Sequence, residues 1–135
     1  MSFTLRVIAP DQSVFDGSAD EVILPSTTGQ LGVLTGHVSI ITALDSGVLR
    51  VREGNSWKAI ALSGGFAEVD ADEVTVLVNT AELGSTIDSA AAEKALEAAQ
   101  QAFNGFEGKP SSPEKLKAEK SLAIARARLS ASRGG

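Results

Sequence analysis

The chain contains no cysteine and no tyrosine, one tryptophan and one histidine. Each absence closes off a kind of chemistry. Without cysteine there are no disulfides and no thiolate metal sites, and His37 alone cannot form a His/Cys metal cluster. Absence of cysteine also fits a cytosol-type compartment. With five Phe, one Trp and a net charge of −5, the chain offers neither stacking platforms nor the positive field that nucleic acid requires. No apolar run approaches the roughly 20 residues that span a bilayer. The opening Met1 to Arg6 lacks the basic start and long apolar core of a signal peptide.

Catalytic patterns are missing too. There is no Gly-x-x-x-x-Gly-Lys-Ser/Thr phosphate loop. Gly29 and Gly32 lack the strand-to-helix setting of a dinucleotide fingerprint. No nucleophile motif surrounds His37. The carboxylates of Asp70-Ala71-Asp72-Glu73 read as a hydrated hairpin turn, not as an acid/base pair. The expectation is a chain with no catalytic residue, no metal and no cofactor.

What is present is enough hydrophobic content, 43% of 135 residues, for a packed core in one ordinary or two small domains. Residues 3 to about 80 read as short strands: Leu5 to Ile8, Val22 to Leu24, Leu31 to Leu34, Ser39 to Leu44, Val48 to Val51 and Trp57 to Leu62. In a last one, Val74, Val76 and Val78 alternate with Thr75, Leu77 and Asn79. Turn signals punctuate them at Pro10-Asp11, Asp16-Gly17, Pro25, Gly36-His37, Asp45-Ser46-Gly47, Gly54-Asn55 and Asp70 to Asp72. Gly64-Gly65 predicts a bulge or tight bend where backbones approach closely. This pattern predicts an antiparallel sandwich or barrel.

The composition changes after Gly84. Residues 89–103 are Ala-rich and include Glu and Lys, with Asp88 as N-cap and Ala92, Leu96, Ala99 and Phe103 on one face. Gly105 to Ser111 breaks that helix. Ser112 caps a second one with Pro113 at its first position, and Ala118, Leu122, Ala125 and Leu129 form a matching stripe. A short break between two helices predicts an antiparallel hairpin. Its stripes are half alanine, so it buries little area and depends on what it docks against. The fold class is therefore α+β, with an N-terminal antiparallel β-sandwich (residues 1–84) and a C-terminal two-helix hairpin (residues 85–135).

Charge divides along the same line. Residues 1–108 carry 5 Lys/Arg and 15 Asp/Glu, and residues 109–135 carry 7 and 2. A basic tail on an acidic body either meets an acidic partner or simply decorates a solvated helix near its negative dipole end. Charge alone favours the second reading. For His37, too, residue type favours a turn role, bonding nearby backbone, over a partner contact.

Longer strings narrow the choice. Gly29 to His37 reads Gly-Gln-Leu-Gly-Val-Leu-Thr-Gly-His, and Thr42 to Val51 reads Thr-Ala-Leu-Asp-Ser-Gly-Val-Leu-Arg-Val. With Leu5 to Pro10 and Ala61 to Val69, these resemble the epsilon subunit of F-type ATP synthases. The Pro25 to Gln30 stretch is most similar to cyanobacterial or plastid members. The resemblance covers nearly the whole chain; the body motifs are specific and the Ala-rich tail is not.

The resemblance implies a noncatalytic rotor subunit that couples proton-driven rotation to ATP synthesis. Its sandwich would be fixed to the gamma subunit of the central stalk and rest on the membrane rotor ring, and its helices would inhibit ATP hydrolysis. It implies a peripheral position on the cytosolic or stromal face of a thylakoid membrane. By similarity, Thr28 and Gln30 would face the ring and His37 would lie near the stalk. Gln30 stands where relatives often carry an acid, which replaces an ion pair with ordinary hydrogen bonds. Arg126 and Arg128, with Lys115, Lys117 and Lys120 behind them, would meet an acidic segment of a catalytic subunit. Some relatives bind ATP through Ile/Leu-Asp-x-x-Arg-Ala, a preceding Glu and arginines on the second helix. Here Glu82, Ile87, Asp88 and Arg128 are retained, but Ala91 and Ile124 stand at arginine positions, so a degenerate, weak nucleotide site is expected. Two rival functions remain: an ATP-sensing switch in the same assembly, and a free-standing β-sandwich binding module.

Overall fold

A computed structural model describes residues 1–134; Gly135, the last residue of the expected hairpin region, lies outside them. Eight strands precede two helices. They are β1 (Phe3–Ala9), β2 (Gln12–Ala19), β3 (Glu21–Ser26), β4 (Gly29–Leu34), β5 (Ile40–Glu53), β6 (Ser56–Asp70), β7 (Glu73–Val78) and β8 (Ala81–Leu83). A single 3-10 turn (Gly84–Thr86) leads to α1 (Ser89–Asn104) and α2 (Pro113–Ser132). The strands pair in the order β2-β1-β7-β6-β5-β3-β4, with β8 joined to β6. One pair, β1 with β7, is parallel, which the antiparallel reading did not anticipate.

Alternation builds the core. Phe3, Leu5, Val7 and Ala9 of β1, Val22 and Leu24 of β3, and Val74, Val76 and Val78 of β7 are buried, while the residues between them are partly or fully exposed. In β6 the inward phase changes: Ile60 and Leu62 are buried in the core before Gly64-Gly65, and Ala67 and Val69 after it. In β5 it changes likewise, from Leu44 to Leu49 and Val51. The two long strands thus bend together and wrap one core between layers.

The expected Gly64-Gly65 bend is present. Gly65 has φ +146° and lies so near β7 that an added Cβ would sit 2.1 Å from the Leu77 carbonyl oxygen. The expected turn at Asp45-Ser46-Gly47 is not a turn. The chain bends there within β5 and keeps its register against β6, because the corner is shared by both strands. Pro25 does not end β3 either; the strand continues to Ser26, with Pro25 opposite Gln30. Asp16-Gly17 lies inside β2, a strand at the end of the sheet's order with half of its residues exposed and a sequence that gives no clear alternation.

Both helix caps form as expected. Asp88 Oδ1 accepts from the Ala90 and Ala91 backbone N–H groups at 3.0 and 3.3 Å. Ser112 Oγ accepts from the Lys115 N–H at 3.0 Å, with Pro113 in the first turn. The helix α2 lies between α1 and the sheet. Its stripe is buried at Leu122, Ala125 and Leu129, and a second row, Ala127 and Ala131, is buried as well. Leu129, Ala127 and Ala131 share a small cluster with Ala92, Ile87 and two residues of the sheet, Ala59 and Ala61. Ala59 and Ala61 alternate with Ile60 and Leu62, so β6 is covered on both faces there: sandwich core on one side, arm on the other.

Candidate functional site

Two sequence-predicted contact residues, Thr28 and Gln30, lie at the β3–β4 turn, and the third, His37, lies beyond the opposite end of β4 in the β4–β5 connection. Thr28 occupies the tight turn. Its hydroxyl is 3.2 Å from that of Ser26, which in turn is 3.0 Å from Thr42. Gln30 is exposed on β4, and Arg50 Nη2 donates to its Oε1 over a long 3.4 Å. His37 follows β4, with its backbone N–H on the Leu34 carbonyl at 3.2 Å and Nδ1 2.8 Å from the Val38 carbonyl. Local backbone bonding is the turn role expected for His37 by residue type.

The acidic β6–β7 turn has a structural task the sequence did not reveal. Ala71 and Asp72 both have positive φ, 49° and 60°, as a two-residue hairpin turn needs. Asp72 Oδ1 accepts from the Gly36 N–H at 2.7 Å, and Asp70 Oδ1 from the Ser39 hydroxyl at 2.7 Å. These carboxylates pin the segment that carries His37.

Beside that segment lies an uncovered apolar face. Phe66 pairs with Leu77 across β6 and β7, Leu77 with Ile8 on β1, and Phe66 with Ala43 on β5. Phe66 is 48% and Leu77 39% exposed; Val38 and Ile41 reach 71%. A surface depression of about 420 Å³ runs along Ile8, Pro10, Phe66 and Leu77. Sequence reasoning passed over this row. Its signal was Phe66 and Leu77 standing in the outward phase of otherwise alternating strands, where a polar residue is usual.

The residues expected around a degenerate nucleotide site also come together, but their groups are already engaged. Arg128 grips Glu82 side-on: Nε donates to Oε1 at 2.8 Å and Nη2 to Oε2 at 3.3 Å. Asp88 is used by its cap, and Ile87 is buried in the seam. Arg126 lies elsewhere, donating to Gln100 of α1 at 3.2 Å on the exposed side of the hairpin. Among the described residues no group of His, Cys, Asp or Glu is arranged to hold a metal ion. Among them no helix is long and apolar enough to cross a membrane.

Comparison with known proteins accounts for this architecture. Residues 2–84 match a family model described as "ATP synthase, Delta/Epsilon chain, beta-sandwich domain", and residues 85–133 one described as its "long alpha-helix domain". The chain belongs to the ATP synthase delta/epsilon-chain family. It is 71% identical over 133 residues to the ATP synthase epsilon chain of Synechococcus sp. (strain CC9605), covering 98% of both chains. It is 60% identical to that of Prochlorococcus marinus (strain MIT 9303), over 98% of this chain and all of the relative. The resemblance to epsilon chains read from the body motifs therefore holds over 98% of the chain, and of the cyanobacterial and plastid members suggested by Pro25 to Gln30 these relatives are cyanobacterial. Among solved structures it superposes on a chain of the Euglena gracilis mitochondrial ATP synthase (OSCP/F1/c-ring, rotational state 1). That match has a TM-score of 0.80 at 26% identity and covers 98% of this chain and 81% of that one. A chain of the Tetrahymena thermophila mitochondrial ATP synthase central stalk/c-ring shares the fold, with a TM-score of 0.61 at 17% identity over 95% of this chain and 94% of that one.

Proposed function

We propose that this chain is the noncatalytic epsilon subunit of an F-type ATP synthase central stalk. Residues 1–84 anchor it to the gamma subunit and the membrane rotor ring. Residues 85–135 act as a regulatory arm that restrains ATP hydrolysis when it leaves the sandwich and meets an acidic segment of a catalytic subunit. The cyanobacterial relatives support a peripheral place on the cytosolic face of a thylakoid membrane. The observation that carries the reading is a sandwich closed around its own core that leaves one sheet face apolar and uncovered, while its arm docks outside that core. Such a face suits a protein partner, and an arm docked outside the core suits a part that moves. The row Ile8, Leu77, Phe66 and Ala43, next to the pinned His37 segment, is the assigned gamma contact, and the Thr28–Gln30 turn the ring contact.

Purification of the assembled complex through a tag on this chain should bring gamma with it. Recovery of the tagged chain as a lone monomer would reject the reading in favour of a free-standing binding module. A chain ending after Gly84 should still retain gamma while the complex hydrolyses ATP faster. Nucleotide sensing is the weaker reading, because Ala91 supplies no guanidinium and the Nε–Nη2 edge of Arg128 is filled by Glu82.

A further inference from the structure

The basic side chains along α2 and at its C-cap make four polar contacts among the described residues, and one of these leaves the arm. Lys115 Nζ donates to the Lys109 carbonyl at 2.7 Å in the loop before α2. Arg126 reaches Gln100, and Arg133 lies 3.6 Å from Glu93, both on α1. The Ser89–Ser132 hydroxyl contact at 2.8 Å likewise joins the two helices. All of these travel with the hairpin if it moves as a unit. Arg128 alone crosses to the sandwich, where Glu82 sits on β8, opposite Ala61 of β6.

We propose that Glu82 is the docked-state counter-ion of Arg128, and that the arm is switched by competition between Glu82 and an external acidic group for that one guanidinium. The proposal rests on the reading of α2 as a segment that binds an acidic partner, and names how that binding is regulated. Both carboxylate oxygens engage the Nε–Nη2 edge, so a second carboxylate cannot take the same bidentate position until Glu82 leaves. The rest of the docking surface is an alanine seam, which has little directional preference. The two partners keep 33% and 44% of their side-chain surface in solvent. Water can therefore replace either partner when they separate, and the contact stays weak enough to exchange. A modest contact suffices to set the ratio of two states close in energy.

The test uses the full chain in the assembled complex. Since the sequence has no cysteine, Gln12→Cys on the exposed face of β2 and Ser121→Cys on the exposed face of α2 accept a dye pair that reports arm position. Glu82→Gln keeps the shape and removes the charge. It should shift the docked-to-extended ratio about three- to tenfold toward extended and deepen the inhibition of hydrolysis in the same proportion. The exchanged pair, Glu82→Arg with Arg128→Glu, should return the arm to the docked distance yet lose inhibition, because the new Glu repels an acidic partner. An unchanged distance distribution in Glu82→Gln overturns the proposal. A shifted distribution with unchanged hydrolysis upholds the ion pair and overturns the inhibitory reading beneath it.

Discussion

Leu5, Leu24, Leu49 and Ile60 are fully enclosed in the sandwich, whereas the seam under the arm is closed largely by Ala59, Ala61, Ala127 and Ala131. Burying a Leu or Ile side chain contributes about 1.5–3 kcal/mol, and a single methyl group about 0.8 kcal/mol. The sandwich is therefore held by volume and the arm by closeness of fit. Small side chains let α2 approach the sheet, and the same smallness makes leaving inexpensive. Two glycines show the contrast. An added Cβ would come within 2.1 Å of a carbonyl oxygen at Gly65 and at Gly84 alike. At Gly65 the carbonyl belongs to Leu77, a neighbouring strand of the same core; at Gly84 it belongs to Ala131, near the end of α2.

The largest expected effect is at Gly65. Gly65→Ala adds strain at φ +146° to a clash with Leu77 and Val78 backbone that cannot retreat without opening the β6–β7 ladder. The expected loss is about 3 kcal/mol or more, read as a lower denaturant midpoint at unchanged slope. A loss below about 1 kcal/mol would mean that the corner is soft and the sandwich is not the rigid partner in the comparison.

The boundary between the two regions was legible in the sequence because composition and periodicity both change near Gly84. Caps at Asp88 and Ser112 were legible because a cap is decided within a few residues. The Asp45–Gly47 corner was not, since polar residues with a glycine give the same local signal for a reversal and for a bend within a long strand. Only pairing with β6, remote in sequence, distinguishes them. The parallel β1–β7 ladder and the Asp70 and Asp72 tethers to the His37 segment are likewise long-range. Charge marks Arg128 and the family resemblance groups it with Glu82, but their direct ion pair spans 46 residues and depends on how the arm docks. Chemistry marked the residue; tertiary contact decided its neighbour.

A middle-sized effect is expected at Gly84. Here the obstructing atoms are the carbonyl oxygens of Ala131 at 2.1 Å and of Ala59 at 3.1 Å, and the first of these can withdraw with the end of α2. Gly84→Ala should reduce stability by about 1–2 kcal/mol, with faster amide exchange confined to the last turns of α2. If β1 and β7 amides accelerated in step, arm and sandwich would form one cooperative unit and the distinction between them would fail.

The smallest effect sharpens the comparison most. Ser112→Ala removes the acceptor of the Lys115 N–H and nothing in the sandwich. Loss of such a cap costs a helix about 1 kcal/mol, which is about a fivefold change in a local opening equilibrium. In an arm that opens independently, that factor appears in the exchange rates of α2 amides while the Val74, Val76 and Leu5 amides keep theirs. In a single unit, the same energy would appear in every slowly exchanging amide, since all would exchange through one global opening. A substitution at the far end of α2 from the Gly84 contact thus tests whether the alanine seam transmits stability or only position.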